Sequence, residues 1–136
     1  MQPDNIHISN DKSLLDLEMI HDFLTNRSYW AKGRSMETVK RSVENSLCFG
    51  VYENDKQVGF ARVVTDYSVF AWLMDVFILE DCRGRGYSKQ LMSAIISHPD
   101  LQNLMRWGLG TEDAHGLYQQ FGFTALSKPN NMMERK

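Results

Sequence analysis

The spacing of apolar and polar positions changes several times along this chain, and each change predicts an element. Residues 6–9 read as an opening strand. Leu14, Leu17, Ile20 and Phe23 or Leu24 then recur at helical spacing, with Asp11 or Ser13 as candidate caps. A second helix is predicted from Ser35, with Val39 and Val43 facing inward and Lys40, Arg41 and Glu44 outward. Residues 48–52 and 57–65 bracket Glu53-Asn54-Asp55-Lys56, which has the chemistry of a hairpin turn. Asp66-Tyr67-Ser68 makes the next turn. Residues 72–79 are almost unbroken apolar and predict a buried strand.

Beyond that strand, Leu91, Met92, Ile95 and Ile96 return to helical spacing until His98-Pro99 stops the run. A strand over 104–109, a short helix ended by Gly122, a strand starting at Phe123 and a last strand near 132–134 complete the pattern. The predicted order is β-α-α-β-β-β-α-β-α-β. Hairpins precede the single crossover, so the sheet must be mixed and mostly antiparallel, with helices flanking it. The fold class is α/β of the mixed α+β kind. Residues 1–136 are expected to form one domain.

Composition narrows the partners. The net charge of -2 offers no bulk basic field for nucleic acid or an anionic membrane surface. Met1-Gln2-Pro3-Asp4-Asn5 lacks the basic and apolar regions of a secretory leader, and the longest apolar run, 69–79, is too short to span a bilayer. Cys48 and Cys82 have neither metal-ligand spacing nor an obvious nucleophile context. A cytoplasmic protein without a metal is expected. The Met132-Met133 tail and unpaired edge strands leave a homodimer open.

The chemistry begins at Arg83-Gly84-Arg85-Gly86-Tyr87-Ser88, which sits between a buried strand and the start of a helix. Glycines let the backbone approach a ligand closely, and the free amides of a helix start point at negative charge. A pyrophosphate would fit this nest. The chain has no Gly-Lys-Ser/Thr of a nucleotide-hydrolysing P-loop, and Lys89 stands where a dinucleotide fingerprint needs its third glycine.

Arg83, Gly86 and Ser88 nearly meet the pattern R-x-x-G-x-[GA], and this loop resembles the pyrophosphate loop of the GNAT N-acetyltransferase superfamily. A second segment, Thr111 to Phe123, resembles that family's N-x-x-A-x-x-[LF]-Y-x-x-x-G-F signature through Ala114, Leu117, Tyr118, Gly122 and Phe123. Thr111 replaces the usual Asn, and Ser88 puts a side chain where the family keeps Gly or Ala. The segments around 28–35 and 60–66 suggest a small bacterial member.

The resemblance implies the GNAT fold, with central strands 72–79 and 104–109 splayed apart, and acetyl-CoA as co-substrate. It implies that coenzyme A is held by Arg83, Gly84, Arg85, Gly86, Tyr87 and Ser88. The main chain of Val76, Phe77 and Ile78 and the loop residues Thr111 and Ala114 complete that set. Tyr118 matches the tyrosine that reaches the coenzyme sulfur as an acid.

Other roles rest on the residues themselves. Asp75 is an isolated carboxylate in an apolar strand. It either faces the cleft as a catalytic group or holds an arginine such as Arg34 or Arg62. Strand alternation sets it opposite Trp72, Met74, Val76 and Ile78. Asp66, Glu112, Asp113 and His115 are weaker candidates. Tyr29, Trp30 and Arg34 are the substrate-side candidates, since aromatics beside an arginine suit a small amine that carries a carboxylate. The expected activity is acetyl transfer to a primary amine of an amino-acid-like molecule or polyamine. A protein or peptide amine as acceptor, and a non-catalytic acyl-CoA sensor, stay open as alternatives.

Overall fold

Five strands lie side by side in sequence order, β1-β2-β3-β4-β5, so each new strand pairs with the one before it. The computed structural model describes residues 6–136; the opening segment 1–5, on which the leader expectation rests, lies outside the described residues. Strands β1 (Ile6–Ser9), β2 (Leu47–Glu53), β3 (Lys56–Thr65) and β4 (Phe70–Ile78) are antiparallel to their neighbours. Asn54 and Asp55 take φ of 52° and 70° at the β2–β3 turn, the left-handed pair whose twist matches a tight hairpin. Strand β5 (Arg106–Leu109) runs parallel to β4, which requires a crossover, and helix α3 (Tyr87–Ile96) supplies it.

Each face of the sheet buries its own cluster. Leu91, Met92 and Ile95 of α3 pack on Phe49, Val63 and Leu73. On the other face lie α1 (Leu17–Asp22), its continuation as a π turn over Phe23–Arg27, and α2 (Met36–Glu44). Ile20, Phe23, Val39 and Val43 there cover Cys48, Phe60 and Phe77, with the Phe23 and Phe77 rings stacked at 4.0 Å. The helix predicted from Ser35 starts at Met36, with Ser35 as its cap and the Ser35 hydroxyl accepting from the Thr38 amide. Asp16 caps α1, whereas Asp11 caps only the short 3₁₀ turn at Lys12–Leu14. Helix α4 (His115–Gln119) follows β5. No helix among the described residues is long and apolar enough to cross a membrane.

Leu73 joins the cluster under α3 while Phe77, four residues on, joins the one under α1 and α2. Regular alternation would set them on one face. A bulge breaks it: the β3–β4 register slips between Phe60 and Arg62, and Asp75 takes φ 54°. The alternation read for Asp75 therefore holds toward Val76 and Ile78 but fails toward Leu73, which lies with them on the α3 face while Asp75 reaches Trp30 and Arg34 on the other.

No strand starts at Phe123, because its amide is taken by the Tyr118 carbonyl at 3.2 Å. Nor does one form over 132–134. That segment follows a turn built by Ser127-Lys128-Pro129-Asn130-Asn131, and Met133 is 95% exposed, so no apolar face is buried to reward extension. The predicted 104–109 strand is shortened to Arg106–Leu109, and the predicted 72–79 strand becomes Phe70–Ile78.

Candidate active site

Pairing between β4 and β5 ends at Leu73 and Leu109, yet β4 continues to Ile78. Beyond that point the two strands part. Two pockets follow one another along the gap. A cleft of about 550 Å³ takes in Met74, Asp75 and Val76 of β4 and Tyr118 of α4. A second pocket of about 310 Å³ takes in Ile78, Arg83, Gly84 and Gly86, the start of α3, Leu117 of α4 and Gln120 at its end. The same strand and the same helix thus wall both.

At the second pocket, Gly84 and Gly86 sit at φ of 80° and 81°, a left-handed conformation in which side chains are strained. Gly86 is the N-cap of α3 and gives it no side-chain cap. The first amides of the helix, Ser88 and Lys89 among them, have no carbonyl within the helix, and both residues line the pocket. Arg83 lines it, with Nε donating to the Ile78 carbonyl at 3.0 Å. That bond uses a main-chain acceptor that the open β4 edge was expected to offer.

Arg85 and Tyr87 behave differently from their loop neighbours. Arg85 Nη1 lies 3.0 Å from Glu53 Oε2, and the buried Tyr87 donates its hydroxyl to the same oxygen. Their side chains anchor the loop to β2. Glu53 was not identified from the sequence, since it looked like the first residue of a hairpin turn, and no local pattern links it to a loop more than thirty residues away.

Tyr118 is held by the way its helix ends. Gly122, at φ 90°, donates to the Gln119 carbonyl at 3.2 Å, and Phe123 donates to the Tyr118 carbonyl. The pair is a Schellman cap, and the Tyr118 and Phe123 rings make its usual apolar contact, edge to face at 6.0 Å. The Y-x-x-x-G-F spacing is therefore a device for fixing one tyrosine. Tyr118 is 8% exposed, and its hydroxyl has no hydrogen-bond partner among the described residues. Burial first, then the nearby Tyr29 and Asp113, push its pKa up to about 12. It stays a proton donor across the neutral range.

Asp75 has three partners. Arg62 Nε and Arg34 Nη1 donate to Oδ2 at 2.6 and 2.8 Å, and Trp30 Nε1 donates to Oδ1 at 2.8 Å. Its side chain is 1% exposed. Of the two readings left open by the sequence, the arginine-holding one describes this geometry, and both named arginines take part.

Tyr29 and Trp30 stand edge to face at 5.1 Å on the wall of the cleft. The Tyr29 hydroxyl accepts from the Glu112 amide at 2.8 Å, which ties the α1–α2 connection to the β5–α4 loop. Thr111 Oγ1 accepts from the Ala114 amide at 3.1 Å and shapes that loop beside the cleft. Trp72 was missed as a wall residue. It lies so close over Gly108 of β5 that a Cβ there would collide with its ring.

Residues 44–125 match the acetyltransferase (GNAT) domain family. The chain belongs to this family, whose members transfer acetyl groups and use acetyl-CoA. A crystal structure from Xanthomonas campestris pv. campestris, of a protein assigned to the GNAT family, is 50% identical with a TM-score of 0.96. The match covers 99% of this chain and 95% of that one. The N-acetyltransferase ycf52 of Gracilaria tenuistipitata is 34% identical over 99 residues, and the match covers 68% of this chain and 52% of that relative. The chain therefore spans about half the length of ycf52. A Clostridium acetobutylicum acetyltransferase structure containing acetyl-CoA shares the fold at TM-score 0.70 and 13% identity, over 97% and 95% of the two chains.

Proposed function

We propose that this chain moves an acetyl group from acetyl-CoA to the primary amine of a small molecule by direct attack, with both substrates bound at once. The observation that carries the reading is the run of two pockets along β4 and α4. It leads from an uncapped helix start with left-handed glycines to a buried phenol with an unshared hydroxyl. The residues fit the co-substrate. The amides of the 83–89 loop and Arg83 would hold its pyrophosphate. The unpaired edge of β4 at Val76 and Phe77 would take the amides of its pantetheine arm as a short false strand. The Clostridium relation supports this choice of ligand only through the shared fold.

Acetyl-CoA brings an activated thioester. The protein contributes position, a donor and a dry wall. Tyr118 offers its proton to the departing sulfur, and a thiolate with an ordinary pKa near 8.5 readily accepts a hydrogen bond from a phenol held at about 12. The amine gives up its proton at the open rim of the cleft, where Glu112 and Asp113 are exposed. Asp75 serves as a positioning residue for Arg34 and Trp30. A cleft of about 550 Å³ is of small-molecule size, which favours a free amine over a protein acceptor.

The test incubates the protein with acetyl-CoA and a mixed panel of amino acids, polyamines, aminoglycosides and short peptides, and reads acetylated products by mass. One small amine gaining an acetyl group supports the reading. Acetyl-CoA binding without any product points to the sensor alternative. For the acetylated amine, Tyr118→Phe should lower kcat roughly 10- to 100-fold and leave coenzyme A affinity nearly unchanged. Equal turnover in the variant removes Tyr118 from the acid role.

A further inference from the structure

The charge of the acceptor can be read from the Asp75 cluster. Two guanidiniums meet one carboxylate there, which leaves one positive charge uncompensated. Arg62 is the buried partner, and its Nη1 is used by Ser46 Oγ at 3.1 Å. Arg34 is the partner that reaches the cleft, with a side chain 19% exposed. Of its five N–H groups only one has a partner among the described residues, the bond from Nη1 to Asp75. Glu112 and Asp113 line the same cleft, yet neither forms an ion pair with Arg34 among the described residues. A largely buried cation with most of its donors unused is costly unless an anion arrives.

We infer that the acceptor is a small amine that carries its own carboxylate, and that Arg34 grips this carboxylate beside the Tyr29–Trp30 wall. The inference rests on the acetyl-transfer reading of the same cleft and adds the substrate class to it. A carboxylate suits the site better than a phosphate. Among the described residues Arg34 is the single cation lining the cleft, and one planar fork matches a singly charged, two-oxygen group. A polyamine would set ammonium against guanidinium. Asp75 and Arg62 fix the plane of that fork from behind, and the Asp75 bond to the Trp30 indole sets the aromatic wall against it. Glu112 and Asp113 give the ammonium end of a zwitterion a matching rim.

The test is a tryptophan-fluorescence titration, because Trp30 and Trp72 both line the cleft. The wild-type protein, with and without coenzyme A, is titrated with each of the common amino acids, with the carboxamide of each, and with spermidine. At least one free acid should saturate the signal, with its carboxamide binding roughly 10- to 100-fold more weakly. Arg34→Met should erase that preference, and Arg34→Lys, which keeps the charge without the fork, should retain part of it. Thermal melts confirm folding, and the wild-type comparison stands even if a variant fails to fold. Saturation by no acid, equal binding of acid and carboxamide, or preference for spermidine overturns the inference. Coenzyme A affinity is measured separately by calorimetry. Its absence sinks the acetyl-transfer reading, while the acid preference is still decided by its own titration.

Discussion

Positive potential is built in two ways in this molecule. In the 83–88 loop it comes largely from the main chain, from left-handed glycines and the open start of α3, and neighbouring residues in the sequence make all of it. Around Asp75 it sits on side chains that meet from separate elements. Trp30 is 45 positions away and Arg34 is 41, while Arg62 comes from the adjacent strand. The loop is open to solvent, whereas the cluster is buried. A main-chain site suits a ligand that stays the same, since backbone amides are present whatever the side chains are. A side-chain site suits the partner that has to be chosen. The difference also predicts where each region is fragile: the cluster in stability, the loop in ligand affinity.

The largest effect should come from removing the shared carboxylate. Asp75→Ala leaves two arginines facing each other in a buried site and should cost about 3–5 kcal/mol of stability, read from the urea midpoint. An unchanged midpoint would mean that the cluster contributes nothing to the fold and would collapse the contrast. Gly86→Val should act the other way. Forcing a branched side chain to φ 81° strains the nest, and coenzyme A affinity should fall roughly 10- to 100-fold with a smaller loss of stability. Calorimetric titration checks this, and retained affinity would remove the nest from the binding site.

Within the loop, the two arginines should separate. Arg83 lines the pocket, so Arg83→Ala should weaken coenzyme A binding about tenfold. Arg85 is half exposed and paired with Glu53, so Arg85→Ala should change affinity by no more than about threefold. Equal losses would show that the pairing with Glu53 does not hold Arg85 away from the ligand.

The smallest effect is invisible at neutral pH. Burial raises the Tyr52 and Tyr118 phenols from 10.0 to about 12 and the Cys48 thiol from 9.0 to about 11. The folded state keeps these protons where the unfolded chain has lost them. Their contribution to stability is therefore complete below pH 9 and is lost as pH rises through 11 and 12. Urea melts across that range should show a falling midpoint, and Tyr118→Phe should fall less steeply. A flat midpoint would contradict the burial of these groups.

The sequence alone determined what neighbouring residues settle among themselves. The hairpin at Asn54-Asp55, the Ser35 cap, the nest at Gly84 and Gly86 and the Schellman cap under Tyr118 each rest on a few consecutive positions. Their turn chemistry and periodicity are local, so they could be read directly. Tertiary structure decided the rest. A bulge in β4 turned Asp75 toward Arg34, Arg62 and Trp30, and Glu53 of β2 paired with Arg85 of the 83–88 loop. The end of the chain, with nothing to bury its alternation, formed no strand. Period-two and period-3.6 patterns record which way a side chain faces only while the ladder is regular. One inserted residue resets the face, and charge pairs tens of positions apart leave no periodic trace.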